Sequence, residues 1–352
     1  GEDQTWPDYF YSRIWCRVFC VRRHVENSVE DIMPSITIVM YHYVREKAFS
    51  RYPELKALEM SNFISQLDYL QNNYVLIGVD DVMLYLQGYA ALPERACLLT
   101  FDDGYLDHYL NVFPELYKRG IKGAFYPPCM AIRRNHLMEV NKIQLILACV
   151  GYDEIDKIVR ELRNIYSSNS YENFLQLEDF DTLYSKYAKP SRFDGADVMF
   201  VKAMLQYALP DDFRSSVIQI LYDKVMDTDE CVLAKEMYMS LDMLKVMAKN
   251  GMHIGSHGDS HVWLNRVSPE QQKKEVENSL SMLEKVYGDR AFMWTMCYPF
   301  GGNDASLRSL CEAKNCAFAL TTVPEIANLH PNTRFSLSRI DTNDISNLSV
   351  ER

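Results

Sequence analysis

Short apolar runs alternate along this chain with stretches in which apolar positions recur every three or four residues. The first pattern reads as buried strands and the second as helices with one apolar face. Ile36–Tyr41, Ala96–Phe101, Gly123–Tyr126, Met252–Ser256, Phe292–Met296 and Cys316–Thr321 are the strand patterns. Ser61 is predicted to cap a helix that carries Phe63, Leu67 and Leu70. Asp80 or Asp81 starts another with Val82, Leu84 and Leu86, closed by Gly88. A third passes through Val112, Leu116 and Tyr117 and ends at Gly120. Ser268-Pro269-Glu270-Gln271 combines a cap, a first-turn proline and a capping-box position, and its helix should run to about Tyr287. Asp304 opens one more. Alternation of this kind predicts an α/β chain built on a parallel barrel.

Residues 131–239 interrupt it. Ile143, Ile146, Leu147 and Val150, then Val217, Leu221 and Val225, keep helical spacing with no strand pattern. This predicts an all-helical insertion leaving the barrel at the C-terminal end of the Phe125-Tyr126 strand, above or beside a site. Residues 1–33 form a separate aromatic and basic helical segment. Its core, residues 9–23, suits docking on the barrel, self-association into a homo-oligomer, or contact with a membrane surface.

The chemistry sits where strand patterns end. Thr100-Phe101-Asp102-Asp103-Gly104 places two adjacent carboxylates after a buried run. Neighbouring strand residues point to opposite sides, so the two can take different tasks. Burying both is costly unless a cation or protons offset them. His257-Gly258-Asp259-Ser260-His261 follows a later strand, and two imidazoles four apart on a helical turn share one side. Two His and one Asp make a three-ligand site with open positions. The other Asp is then free as a base. Cys297-Tyr298-Pro299-Phe300-Gly301-Gly302 ends another apolar run in a tight loop whose N–H groups can face an oxyanion. His42 directly follows the first strand, on the face where barrel sites lie, and His253, inside a strand pattern, reads as a packed core residue.

The set TFDDG, H-x-x-x-H and YPFGG, in that order, resembles the polysaccharide deacetylase family, the NodB-homology domain of carbohydrate esterase family 4, in its YPFG-type branch. The resemblance implies a distorted (β/α) barrel of about seven parallel strands, formed here by 34–130 and 240–352 around the insertion. It implies Asp102 as catalytic base, Asp103, His257 and His261 as ligands of a divalent metal (zinc, or another first-row ion), and Tyr298, Pro299, Phe300 and Gly301 as the oxyanion and substrate loop. Two departures stand out. Cys297 occupies the place where many members carry an arginine that orients the base. Arg339 lies where a late histidine acid would be sought. His42 is then the candidate acid and Arg339 the candidate partner of Asp102. The implied activity is removal of an acetyl group from an N-acetylated sugar or glycan precursor, and the insertion over the site together with the cysteine pattern suggests a small nucleotide- or lipid-linked one. O-deacetylation and an idle carbohydrate-binding role are the alternatives.

Composition narrows the classes further. A net charge of −11 and a pI near 5.3 argue against a nucleic-acid partner. A hydrophobic content of 48% is ample for a core. Nine scattered cysteines without a C-x-x-C pair, no spanning apolar stretch and no visible signal peptide lead us to expect a cytoplasmic protein.

Overall fold

The structure, a computed structural model, describes residues 35–168, 178–191, 194–290 and 292–349. The predicted segment 1–33 lies outside the described residues. The central sheet is built on β1 (Ser35–Tyr41) and β3 (Ala96–Asp102), paired in parallel from Thr37 opposite Cys97 to Tyr41 opposite Phe101. β4 (Gly123–Tyr126) joins β3 in parallel, and β5 (His253–Ile254) joins β4. β2 (Val75–Ile77) pairs with the start of β3, and β9 (Ile340–Asp341) pairs in parallel with β1. β8 (Ala327–Asn328) is antiparallel to β1. β6 (Met296–Cys297) and β7 (Ala319–Leu320) form a separate parallel pair, linked to its surroundings by single bridges from Ser256 to Met296 and from Leu320 to Leu337. Three predicted strands are therefore shorter than their patterns, and the Met252–Ser256 pattern forms a strand only at His253–Ile254. Phe292–Met296 pairs only from Met296, and Cys316–Thr321 only at Ala319–Leu320.

β1 and β3 read as unbroken apolar runs because both their faces are covered. Alternate residues serve different cores. Val39, Tyr41, Leu99 and Phe101 pack under the helices, while Ile36, Ile38, Leu98 and Tyr126 pack with Cys297 and Leu320. The covering helices are α1 (Met60–Asn73), α2 (Val79–Leu86) and α3 (Phe113–Arg119). Glu59, not Ser61, is the cap position of α1, although Phe63, Leu67 and Leu70 do form its buried stripe. α2 begins one residue before Asp80, with the Asp81 carboxylate accepting from Gly78 N–H at 2.8 Å, and its Leu84 faces solvent. Gly120 closes α3 in the left-handed conformation, as its position suggested.

Between β4 and β5 all described elements are helical: α4 (Cys129–Arg133), α5 (Glu139–Val150), α6 (Ile155–Ser167), α7 (Phe180–Tyr187), α8 (Ala196–Ala203), α9 (Asp211–Val225), α10 (Glu230–Met237) and α11 (Leu241–Lys249). Helices α5 to α10 share one apolar core, which also takes in Tyr43, Leu55 and Tyr105 from the loops after β1 and β3. The chain is completed by α12 (Pro269–Tyr287), capped by Ser268, and α13 (Ala305–Ala313), capped by Asp304. No described helix is long and apolar enough to cross a membrane.

Candidate active site

The C-terminal ends of β1 and β3, and the loops after β5, β6 and β7, converge on one buried cluster. Asp102 is the last residue of β3 and shares its face with Leu98 and Thr100. Its carboxylate receives a fork from the fully buried Arg339, Nη1 to Oδ1 at 2.9 Å and Nη2 to Oδ2 at 2.7 Å. Arg339 is itself held by Nε to the Thr321 carbonyl at 2.7 Å and Nη1 to Thr100 Oγ1 at 3.1 Å. The Cys297 thiol lies 3.5 Å from both Asp102 oxygens. Burial raises the pKa of Asp102, but the Arg339 charge and hydrogen bonds outweigh it and bring it down to about 2. Asp102 is thus a buried carboxylate kept ionised by a bidentate partner.

Asp103 leaves the strand in the left-handed region (φ 71°), and Gly104 follows at φ 69°. A side chain at Gly104 would press on Pro127 at 2.7 Å, so the turn needs glycine. The turn points Asp103 away from Asp102. Its Oδ2 accepts from the Tyr105 hydroxyl at 2.7 Å. Its Oδ1 is buried without a hydrogen-bond partner, 3.1 Å from His261 Nε2 and 3.4 Å from His257 Nε2.

The two histidines do not sit on a helical turn. Residues 257–261 form a bent loop, turned by Gly258 (φ 74°) and by His261 itself (φ 57°). Glu275 of α12, almost fully buried, sets its path by accepting from Asp259 N–H at 2.7 Å and Ser260 N–H at 2.9 Å. The His257 Nδ1–H donates to the Cys297 carbonyl at 2.7 Å, so Nε2 is the nitrogen that faces Asp103. Burial disfavours its charged form, but Cys297 and the Asp103 and Asp102 carboxylates outweigh that and hold its pKa well above the ordinary value.

An orphaned carboxylate oxygen and two imidazole nitrogens converge at 3.1–3.4 Å. Ligand atoms about 2.0–2.1 Å from a tetrahedral zinc lie roughly 3.3 Å apart. The donor set and its spacing therefore fit a divalent first-row ion.

His42, just past β1, lies with Nε2 4.0 Å from Asp102 Oδ2, and its side chain is 41% exposed. His108, in a π-helical turn before α3, donates from Nε2 to the His42 carbonyl at 2.8 Å. Asp107 and Asn111 hold the next residues, accepting from Val44 N–H and donating to the Val44 carbonyl. The 298–301 loop offers less than its sequence promised. Tyr298 N–H is spent on the Leu320 carbonyl, Gly301 N–H on Tyr298, and Pro299 has none. Phe300 N–H is the loop's remaining donor. Phe300 is left-handed (φ 56°), stacks on Trp263 at 4.7 Å and meets the His261 ring edge-on at 4.7 Å. Asp103, His261 and Phe300 are three of the six non-glycine residues with positive φ among those described, a concentration of strain expected at a working site. His330 bonds locally to Asn332 N–H, and His253 is half-buried, bonded to Thr295 Oγ1 at 2.8 Å.

Sequence reasoning missed Tyr105, Glu275, His108 and Trp263. None belongs to a motif, though a glutamate on the apolar stripe of α12 was a visible signal.

The family model for polysaccharide deacetylase matches residues 208–319. A curated relative from Bacillus subtilis (strain 168), "Putative polysaccharide deacetylase YxkH", is 29% identical over 106 residues. Over residues 208–319 this chain is similar to the polysaccharide deacetylase family. The match to that relative covers 30% of this chain and 36% of the relative, so it spans about a third of the relative's length. The deacetylase family match takes in His257, His261 and the 298–301 loop; Asp102 and Asp103 precede it and Arg339 follows it. Among solved structures, the Streptococcus pyogenes deacetylase PplD in complex with acetate aligns with a TM-score of 0.53 at 17% identity, over 90% of this chain and 98% of that one. A de-N-acetylase from Aggregatibacter actinomycetemcomitans gives 0.51 at 14% identity, over 89% and 99%. IcaB from Ammonifex degensii gives 0.50 at 15%, over 90% and 96%. At these identities the shared feature is the deacetylase fold.

Proposed function

We propose that this chain is a metal-dependent hydrolase that removes an acetyl group from an N-acetylated sugar. The observation that carries the reading is the buried, partnerless Asp103 Oδ1 facing two imidazole nitrogens. Asp103, His257 and His261 would hold the ion. When bound, a divalent ion polarises a carbonyl and acidifies water beside it. The rest of the chemistry is assigned to the chain. Asp102, ionised and fixed by Arg339, takes the proton from the attacking water. Phe300 N–H is the loop donor for the oxyanion. His42, reachable from solvent and beside Asp102, gives a proton to the leaving amine, which cannot depart unprotonated. Trp263 and Phe300, stacked beside His261, offer an aromatic wall to a sugar ring. Support for the class of reaction comes from the deacetylase family match and fold.

Elemental analysis of the purified protein, with acetate release measured on a panel of N- and O-acetylated sugars, tests this. A divalent ion near one per chain and acetate from N-acetyl substrates are expected. No metal and no acetate would overturn the reading. Release from esters alone would reassign the chain as an O-deacetylase.

A further inference from the structure

Asp103 is held by more than its own strand. Tyr105 Oη donates to Asp103 Oδ2 at 2.7 Å, and Asn141 Nδ2, from α5 of the helical insertion, donates to Tyr105 Oη at 2.8 Å. Asn141 Oδ1 accepts from the Tyr238 hydroxyl, which in turn accepts from Met138 N–H at 2.9 Å. Every hydrogen points the same way. The Met138 amide fills one lone pair of Tyr238, so the Tyr238 proton goes to Asn141. The Asn141 amide fills Tyr105, so the Tyr105 proton goes to Asp103. Such chains polarise along their length and strengthen each bond in the row. Asn141, Tyr105 and Tyr238 are all fully buried. The backbone repeats the link, with Met239 N–H donating to the Gly104 carbonyl at 2.9 Å and a bridge between Tyr105 and Tyr238.

We propose that Asn141 and Tyr105 are positioning residues that hold Asp103 Oδ2 and thereby turn Oδ1 toward the histidines, so that the helical insertion is part of the metal site. The inference rests on the reading of Asp103, His257 and His261 as ligands. A carboxylate with one oxygen held by a hydrogen bond is restrained in rotation and presents its other oxygen in a set orientation. Outer partners of this kind commonly alter metal affinity 10- to 100-fold when removed. Sequence alone does not reveal this, because Asn141 lies on an unremarkable insertion helix, 38 residues past Asp103 in the numbering.

Equilibrium Zn²⁺ affinity, measured by competition with a chromophoric chelator on metal-stripped full-length protein, is the readout. Tyr105→Phe keeps the ring stacked on Tyr43 at 3.7 Å and removes only the donor. It should weaken Zn²⁺ binding at least about tenfold. Asn141→Leu should weaken it similarly, and the double variant little more than Tyr105→Phe, because Asn141 acts through the Tyr105 hydroxyl. Tyr43→Phe is the packing control. Tyr43 also accepts from Asn141, but it does not touch Asp103, and Gln144 Oε1 lies 3.0 Å from the same nitrogen. Its affinity should stay within about twofold. Wild-type binding with an unchanged Tyr105→Phe would overturn the relay and leave the metal reading standing. Equal losses in Tyr43→Phe and Tyr105→Phe would reduce it to packing. A wild-type chain that binds no Zn²⁺ would overturn both.

Discussion

Two adjacent aspartates do different work here because one peptide unit separates them across a turn. Asp102 remains on the strand and meets Arg339, and Asp103 turns into the left-handed region and meets the histidines. Asp102→Asn keeps the shape but cannot accept a proton. It should retain metal and lose roughly a hundredfold or more in kcat. Asp103→Asn should lose metal and activity together. Metal analysis of the two variants checks this, and the opposite pattern would exchange the roles. His42 gives a second residue-scale prediction. His42→Ala should slow an N-acetyl amide strongly and an activated aryl acetate much less, with metal content unchanged. Equal slowing of both would make His42 a positioning group. His253 gives a third. Burial brings its pKa down from 6.5 to about 4, so the unfolded chain binds the proton more readily between those values. Stability should therefore rise with pH from about 4 to 6.5, by at most about 1.4 kcal/mol per pH unit from this group. His253→Gln should flatten that window in denaturant titrations. An unaltered slope would show that the ring is hydrated when folded.

At the scale of elements, the loop after β5 differs most from its expected form. The spacing of His257 and His261 suits a helix, yet α12 decides the path. Its buried Glu275 gathers the Asp259 and Ser260 N–H groups, and Cys129 N–H and Met130 N–H of α4 reach the Gly258 and Asp259 carbonyls. The backbone amides thus find partners outside their own segment and need no helical turn. Charge-assisted hydrogen bonds to a buried carboxylate are worth about 1.5–3 kcal/mol each. Glu275→Ala should free the loop and weaken Zn²⁺ binding at least tenfold. It should also cost roughly 2–4 kcal/mol of stability in urea titration. Unchanged zinc affinity would mean that His257 and His261 are placed by β5 and β6 alone. Three helix ends, by contrast, were legible. Ser268, Asp304 and Gly120 satisfy orphaned end groups from within a few residues, and that is information a local pattern contains.

Across the whole molecule, the pairing of Arg339 with Asp102 ties the end of the chain to β3 through the centre of the fold. Arg339→Met would leave a buried carboxylate uncompensated and should cost about 3–5 kcal/mol. It should also raise the Asp102 pKa from about 2, because burial then acts unopposed, and move the acidic limb of kcat/KM upward. An unmoved limb would show that another group titrates there. The amino-acid sequence by itself determined the α/β class, the strands that bury both faces, the helical character of the insertion and the short motifs at strand ends. Each of these rests on residues close in the chain, where periodicity and capping act. It also carried a resemblance from which Asp102, Asp103, His257, His261 and the candidate Arg339 could be named. The tertiary structure alone decided that the Arg339 fork meets Asp102 and that Asp103 Oδ1 is left without a partner. It alone decided that Glu275 shapes the histidine loop and that Asn141 reaches Asp103 through Tyr105. Those facts depend on how buried polar groups find partners across hundreds of residues, and only the assembled core settles which donor lies within reach of which acceptor.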